Sequence, residues 1–163
     1  MPSSFTVEIK GDWTVPDFMD ADVPLKQIAE KVVTDSQRNI RQQTMPDGRN
    51  FEPLSKKTIK DKIREGVPYP RRALYRKGIM YNALHVYKIG KNQYEVGVIP
   101  RGKPPRDYVA GIHSGIGATS HILPIRMFLG ISVETLNWAN ARMERWISEN
   151  IRKAAKKYIN LKY

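Results

Sequence analysis

The sequence contains no cysteine and only three histidines in 163 residues. Without cysteine, the chain has neither a disulfide framework nor thiol chemistry. No apolar run approaches 18 residues, so no membrane span is predicted. The first twelve residues lack a basic start followed by an apolar core, so no signal peptide is expected. We therefore expect a protein that is found in the cytoplasm.

Signals for catalysis are also missing. The sequence has no Gly-x-Ser-x-Gly elbow, no phosphate-binding glycine loop and no dinucleotide fingerprint. His113 and His121 lie eight residues apart, and Asp107 is the only acid between residues 107 and 132. A metal site needs further ligands at fixed spacing, so hydrogen bonding is the expected role of both histidines. We predict no enzymatic activity, no metal and no cofactor.

Acidic residues are scarce in the middle of the chain. The protein has 28 Lys and Arg against 16 Asp and Glu, a net charge of +12. Residues 55–106 hold fourteen of the basic residues and three of the acidic ones. Such a block indicates a polyanionic neighbour, either nucleic acid or an acidic protein surface; a solvated face is the alternative. The residues predicted to contact a partner are Arg71, Arg72, Arg76, Lys77, Arg101, Lys103 and Arg106.

Aromatic residues accompany these charges. Four tyrosines, at positions 69, 75, 81 and 87, are interleaved with basic residues. Packing within loops and a hairpin is favoured over stacking on nucleic-acid bases for them. Trp146 fits the apolar stripe of a C-terminal helix, whereas Trp138 lies off that stripe. Trp138 is therefore predicted either to face a partner or to occupy a second packing face.

Hydrophobic periodicity predicts the secondary structure. Residues 5–10 alternate as in a half-buried strand, and residues 25–40 repeat at helical spacing, with Asp22 or Val23 as the cap and an end near Gln43. A turn at residues 45–48 follows. The other predicted elements are a short basic helix capped by Ser55, a helical turn around Leu74, a hairpin over 85–99, a strand within 127–131, and a long helix capped by Ser132.

These elements predict an α+β fold, in which a small antiparallel sheet of three to four strands packs against two long amphipathic helices, with long basic loops. We expect a single domain over 1–163, with a core at about 23–150. Residues 1–22 would form an N-terminal strand or arm, residues 64–72 and 100–106 flexible basic loops, and residues 150–163 a basic helical tail.

Short motifs occur in a specific order. The first is Asp47-Gly48-x-x-Phe51-x-Pro53-Leu54-Ser55-x-x-Thr58, followed by Leu74-x-x-x-Gly78-x-x-x-Asn82 and Tyr94-x-Val96-Gly97. Tyr108-Val109-Ala110-x-Ile112-His113-x-Gly115 and Pro124-x-Arg126-x-Phe128-Leu129-Gly130-x-Ser132 precede the last helix. In this order the chain resembles the phage virion morphogenesis family, the tail completion or neck proteins of tailed bacteriophages. The resemblance covers roughly residues 25–150 and gives these motif residues a structural role.

The resemblance implies a structural virion protein located at the head–tail junction, or neck. Such proteins form a homo-oligomeric ring, expected to be a hexamer, and complete or join the tail. The implied partners are other copies of the chain, the neighbouring head–tail connector and tail proteins, and phage DNA passing through the lumen; no membrane is involved. A stand-alone basic nucleic-acid-binding protein is the alternative function.

Overall fold

A computed structural model of the chain describes residues 6–8, 20–75, 78–98 and 126–160. Within these ranges the elements, in chain order, are strand β1 (Thr6–Glu8), helices α1 (Asp22–Gln42), α2 (Lys56–Arg64) and α3 (Ile79–Asn82), strands β2 (Leu84–Gly90) and β3 (Gln93–Val98), and helix α4 (Val133–Asn160). The predicted mixture of helices with a small antiparallel sheet is confirmed. The predicted loop over 100–106 and the glycine-rich stretch before residue 126 lie outside the described residues.

The sheet is built around β3. Both β1 and β2 pair with β3 antiparallel, giving the order β1–β3–β2. In the β2–β3 hairpin Val86 lies opposite Val96, and Val96 is fully buried. Asn92 takes a left-handed backbone conformation in the connecting turn, with a φ of 56°, as tight hairpin turns require. The predicted hairpin is therefore confirmed.

Helix α1 covers the sheet and contacts β2, β3 and α4. The predicted cap is wrong, because Ala21 precedes the first helical residue and makes no side-chain cap bond. Asp22 instead accepts a bond from the Asn92 backbone N–H at 3.0 Å, and its carboxylate pairs with Lys88. The Ala21 N–H in turn donates to Asn92 Oδ1 at 2.8 Å. The acid that the pattern assigned to a cap therefore fastens the helix to the hairpin.

Two expectations about shorter segments are wrong. Residues 127–131 form no strand, because Phe128 and Leu129 are neighbours in sequence and both are buried, whereas a strand with one buried face buries alternate residues. Leu74 has a φ of 57°, which is incompatible with a right-handed helical turn.

The predicted caps of α2 and α4 are confirmed: the Ser55 hydroxyl accepts from Thr58 N–H, and the Ser132 hydroxyl accepts from Thr135 N–H at 3.0 Å.

The core has two parts. One lies between α1, the sheet and the segment around Phe128, and its buried members are Ala29, Val32, Ile40, Phe51, Ala73, Met80, Leu84, Val96, Phe128 and Leu129. The other joins α1 to α4 through Ala21, Ile28, Ala139 and Met143, with Leu25 and Trp146 packed against it. Trp146 thus packs against the core, as its position on the stripe predicted.

Candidate assembly surfaces

Two of the recognised motifs meet in space, at a contact between residues 45–55 and 126–132 that we call the motif junction. Arg126 is buried, and its guanidinium donates from Nε and Nη2 to the Glu52 carbonyl at 3.1 and 3.0 Å. Its Nη2 also reaches the Pro53 carbonyl at 3.4 Å. A side chain on Gly130 would place its Cβ 2.9 Å from Pro46 Cγ, so this position has no room for a larger residue.

The other motif residues in the described ranges also have structural environments. Gly48 has a φ of 86° in a turn that its N–H closes to the Met45 carbonyl at 3.0 Å. Leu54 packs against the core, and Thr58 bonds the Ser55 hydroxyl. Gly78 precedes α3 with a φ of 70°. These motif residues therefore take part in packing, capping and backbone turns, and the structural role that the resemblance implies for them stays a prediction.

A buried carboxylate links α1 to the start of α4. Both oxygens of Asp35 lie 2.7 Å from Lys31 Nζ, and Arg38 Nη2 lies 3.2 Å from one of them. The Thr135 hydroxyl donates to Asp35 at 2.6 Å from across the helix interface. Burial by itself raises the pKa of Asp35, but the hydrogen bonds from Lys31 and Thr135 and the two positive charges outweigh it. The pKa of Asp35 therefore lies below its usual value of 3.8.

Helix α2 presents an exposed basic face, which we call the α2 face. Lys56, Lys57, Lys60 and Arg64 line a shallow groove of about 440 Å³ together with Asp61. Only Arg64 has an ion pair there, to Asp61 at 3.1 Å, among the contacts of the described residues. Lys56 and Lys57 occupy the first turn, where the helix dipole disfavours cations. Lys56 and Lys57 therefore do not serve helix stability, and the face that they share with Lys60 suits an anionic partner.

A tyrosine–arginine cluster lies on the loop after α2. The Arg72 guanidinium lies 4.5 Å from the centre of the Tyr69 ring, and Tyr69 meets the Tyr75 ring edge-on at 5.8 Å. Beneath this loop the buried Lys62 ammonium donates to the Arg72 and Tyr75 carbonyls at 2.6 and 2.7 Å. The loop that carries Arg71 and Arg72 is therefore held in place by a lysine of α2. Tyr69 and Tyr75 thus pack on each other within the loop, which is the arrangement that was favoured over stacking on nucleic-acid bases.

Replacing Lys62 by methionine is expected to lower the free energy of unfolding by about 1–3 kcal/mol, because two carbonyls lose a charged donor while the apolar stem is kept. The Tyr69–Tyr75 loop should become more accessible to protease. Chemical denaturation and limited proteolysis measure the two effects. The control is Lys60→Met on the α2 face, which should leave the stability and the protease accessibility unchanged. Equal changes in the two variants would contradict this role of Lys62.

Helix α4 extends beyond the described residues that pack against its start. Its 28 residues span about 42 Å, and among residues 133–156 those that are buried are Thr135, Ala139 and Met143, all in its first half. Residues 151–156 are all exposed, and Ile151 is 54 % exposed. Leu136 and Ile151, which follow the same helical spacing as Trp146, both lie on the surface. We call residues 151–160 the α4 arm.

A second groove lies at the opposite end of α4. It is about 510 Å³ in volume and is bounded by the end of α1, the turn at residues 44–48 and the first residues of α4. Met45, Pro46 and Val133 contribute apolar surface to it, and Asp47 and Glu134 contribute carboxylates. We call it the α1–α4 groove. It borders the motif junction, and four of its lining residues, Asp47, Gly48, Gly130 and Ser132, belong to the recognised motifs.

Comparison with known proteins identifies the family. The sequence model of the phage virion morphogenesis family matches residues 16–148, which is most of the chain. The chain belongs to this family. No curated protein and no solved structure matches it. Membership gives the protein a role in the morphogenesis of a bacteriophage virion and confirms the resemblance read from the motifs.

For this member of the family, the predicted partner-contacting residues fall into two groups. Arg71 is exposed, Arg72 stacks on Tyr69, and Trp138 is 38 % exposed; their contact with a partner stays a prediction. The remaining predicted residues lie outside the described part of the chain. They are Arg76, Lys77, Arg101, Lys103 and Arg106, with the motif residues Tyr108, His113, Gly115 and Pro124.

The α2 face and the α1–α4 groove were not predicted from the sequence as surfaces that bind a partner. The lysines of the α2 face were predicted only as part of a short basic helix, although their repeated spacing of three and four residues would have placed them on one side. The α1–α4 groove had no sequence signal, since it joins residues about ninety positions apart. Within the described ranges no three residues of the metal-ligating types come together, and no helix is long and apolar enough to cross a membrane.

Proposed function

We propose that this protein is a tail completion or neck component, which forms a homo-oligomeric ring at the head–tail junction and is needed to join or complete the tail. Family membership supports a role in the virion. The observation that carries the proposal further is the α4 arm, in which Ile151 and the other side chains of residues 151–156 are exposed, without cover from the described part of the chain. Helices in proteins owe most of their stability to the packing of an apolar side, and a partner that covers Ile151 would supply that packing to the arm.

Ring formation requires two different surfaces on each subunit, because only a heterologous contact that closes generates a ring. The arm and the α1–α4 groove lie at opposite ends of α4, so they can serve neighbours on two sides. The α2 face is a third surface and takes no part in the contact between ring subunits. It is therefore available for a protein that lies above or below the ring. We propose that it contacts an acidic connector or tail protein. We adopt six copies, the number that the resemblance implies.

The test is a phage that lacks this gene. Heads and tails should accumulate separately in lysates, and the purified protein added to the lysate should restore joined, infectious particles. Electron microscopy and plaque counts measure the two outcomes. Normal particles from the deletion phage would overturn the proposal.

Charge reversal on the α2 face, Lys57→Glu with Lys60→Glu, is expected to abolish this restoration while the subunit stays folded. Both lysines are exposed and have no ion pair among the described contacts, so the change acts on the partner surface through like-charge repulsion. The matched control is Lys26→Glu with Arg145→Glu, which makes the same change in net charge on α1 and α4. If the α2 variant restores joining as well as the control, the surface is not the one used.

A stand-alone nucleic-acid-binding protein is the second candidate, and the α2 face together with the exposed Tyr69 favours it. Lysine is depleted at protein–protein interfaces, and point charges of this kind neutralise phosphates. This function requires that the purified subunit bind duplex DNA with an affinity that falls steeply as salt rises. Fluorescence anisotropy at several salt concentrations measures this. DNA binding by a protein that is dispensable for joining would favour the second candidate over the first.

A further inference from the structure

We propose that the α4 arm of one subunit docks into the α1–α4 groove of the next copy. The inference rests on the proposed ring and names the surfaces that would form it. Its occupant is a second copy of this chain, and the reasons are the geometry of α4, the complementary charges and the exposed apolar residues at both places.

The geometry excludes docking within one subunit. The groove is bounded by Val133 and Glu134 at the start of α4, and the arm begins at Ile151 in the same continuous helix. Eighteen residues of helix separate the two by about 27 Å. A straight helix cannot fold its end back to its own beginning, so the arm can fill this groove only in another molecule. Such a contact joins two different surfaces, and it is therefore heterologous.

The charges of the two surfaces are opposite. The arm carries Arg152, Lys153 and Lys156, all exposed, and contains no acid. At the groove, Glu134 is largely exposed and lies 3.8 Å from Arg38, while Asp47 is half exposed and pairs with Arg49 at 2.6 Å. Each carboxylate retains oxygen surface for a second cation. The Arg49 guanidinium also lowers the pKa of Asp47, because it bonds and attracts the ionised form, so this acid is charged at neutral pH.

Apolar surface accompanies the charge at both places. At 100° per residue, Ile151 and Ala154 lie about 60° apart on one side of the arm, and Arg152 and Lys153 each point about 130° away from the middle of that side, one in each direction. In the groove, the apolar surface of Met45, Pro46 and the largely exposed Val133 lies beside the two carboxylates. The arm would seat its apolar side on these residues as an amphipathic helix does in a groove, and the long side chains of Arg152 and Lys153 would reach around the helix toward the carboxylates.

Charge-swap rescue tests this contact. The arm variant is Arg152→Glu with Lys153→Glu. The groove variant is Asp47→Asn with Glu134→Lys; asparagine keeps the oxygen that accepts the Arg49 N–H at 3.0 Å in the wild type. Sedimentation velocity over a range of protein concentrations measures self-association, and circular dichroism checks that each variant is folded. Lys26→Glu with Arg145→Glu, outside the proposed contact surfaces, is the control, since it makes the same charge change as the arm variant.

Each of the arm and groove variants should weaken self-association about tenfold or more, and the four substitutions together should restore it, while the control assembles like the wild type. The arm–groove contact would be overturned if the arm variant self-associates as strongly as the wild type, or if the combined variant does not recover self-association. Either result would leave the proposal of a ring unaffected. A wild-type protein that stays monomeric at every concentration, and joins heads to tails as a monomer, would overturn both.

Discussion

Alanine at Phe128 is expected to lower the free energy of unfolding by about 3–5 kcal/mol. Phe128 is fully buried and is, among the residues that the structure describes, the largest completely enclosed side chain. It belongs to the main core with Phe51 and Leu129, and Asn39 Nδ2 donates to its carbonyl at 3.4 Å. Removing the ring leaves a cavity between α1 and the motif junction, and the rigid neighbours cannot collapse to fill it.

Denaturation by urea measures this loss, with the slope of the transition used to check that the unfolded state is unchanged. Met127 provides the matched control, because it is the preceding residue and is 37 % exposed. Met127→Ala should cost less than about 1 kcal/mol. Similar losses in the two variants would mean that Phe128 does not fill the core as described. A folded Phe128→Leu protein, which keeps most of the volume, would still test whether assembly depends on this segment.

The second large effect is expected for Asp35→Ala, about 2–4 kcal/mol. The substitution removes the acceptor of three donors at once, and it leaves the fully buried Thr135 hydroxyl without the bond that joins α4 to α1. The loss in the free energy of unfolding should stay below the largest values known for broken buried ion pairs, because Lys31 and Arg38 are partly exposed and can turn to water. The exposed pair Lys26–Glu30 gives the control: Glu30→Ala should change stability by less than about 0.5 kcal/mol.

The same carboxylate gives a pH dependence with a definite sign. The pKa of Asp35 in the folded protein lies below its ordinary value of 3.8. A lowered pKa means that the folded protein favours the ionised form, so the contribution of Asp35 is fully present above pH 4 and is lost as pH falls through the folded pKa. The stability difference between wild type and Asp35→Ala should therefore be constant from pH 5 to 7 and shrink below pH 4. A difference that grows on acidification would contradict this assignment.

Local patterns predicted the elements of this fold well. The stripe of Ile28, Val32 and Ile40 predicted α1, strand alternation and a Gly/Asn turn predicted the hairpin, and Ser55 and Ser132 marked the starts of α2 and α4. Each of these signals depends on neighbouring residues, whose spacing is set by the backbone geometry of one helix or strand. The family was predicted from the order of the motifs, which is a property of the whole chain.

The features that sequence reasoning missed depend on distant contacts. Nothing near Arg126 shows that its donors serve carbonyls 74 residues earlier, and nothing near Asp35 shows that its partner is Thr135. The exposure of Ile151 has a similar cause: helical spacing shows which side of α4 is apolar, but not how far its neighbours extend along it. The α1–α4 groove exists only once these contacts have formed, and so periodicity could not predict it.

The bonds between the start of α1 and the hairpin turn have a consequence for the opening motions of the subunit. Asp22 accepts from the Asn92 N–H while Asn92 accepts from the Ala21 N–H, so neither end can be released alone. Helix termini and hairpin tips are ordinarily the first places to fray. Here the start of α1 and the hairpin turn must open together. The amides of Ala21 and Asn92 should therefore exchange with deuterium at a common rate, which is slower than that of an ordinary exposed turn.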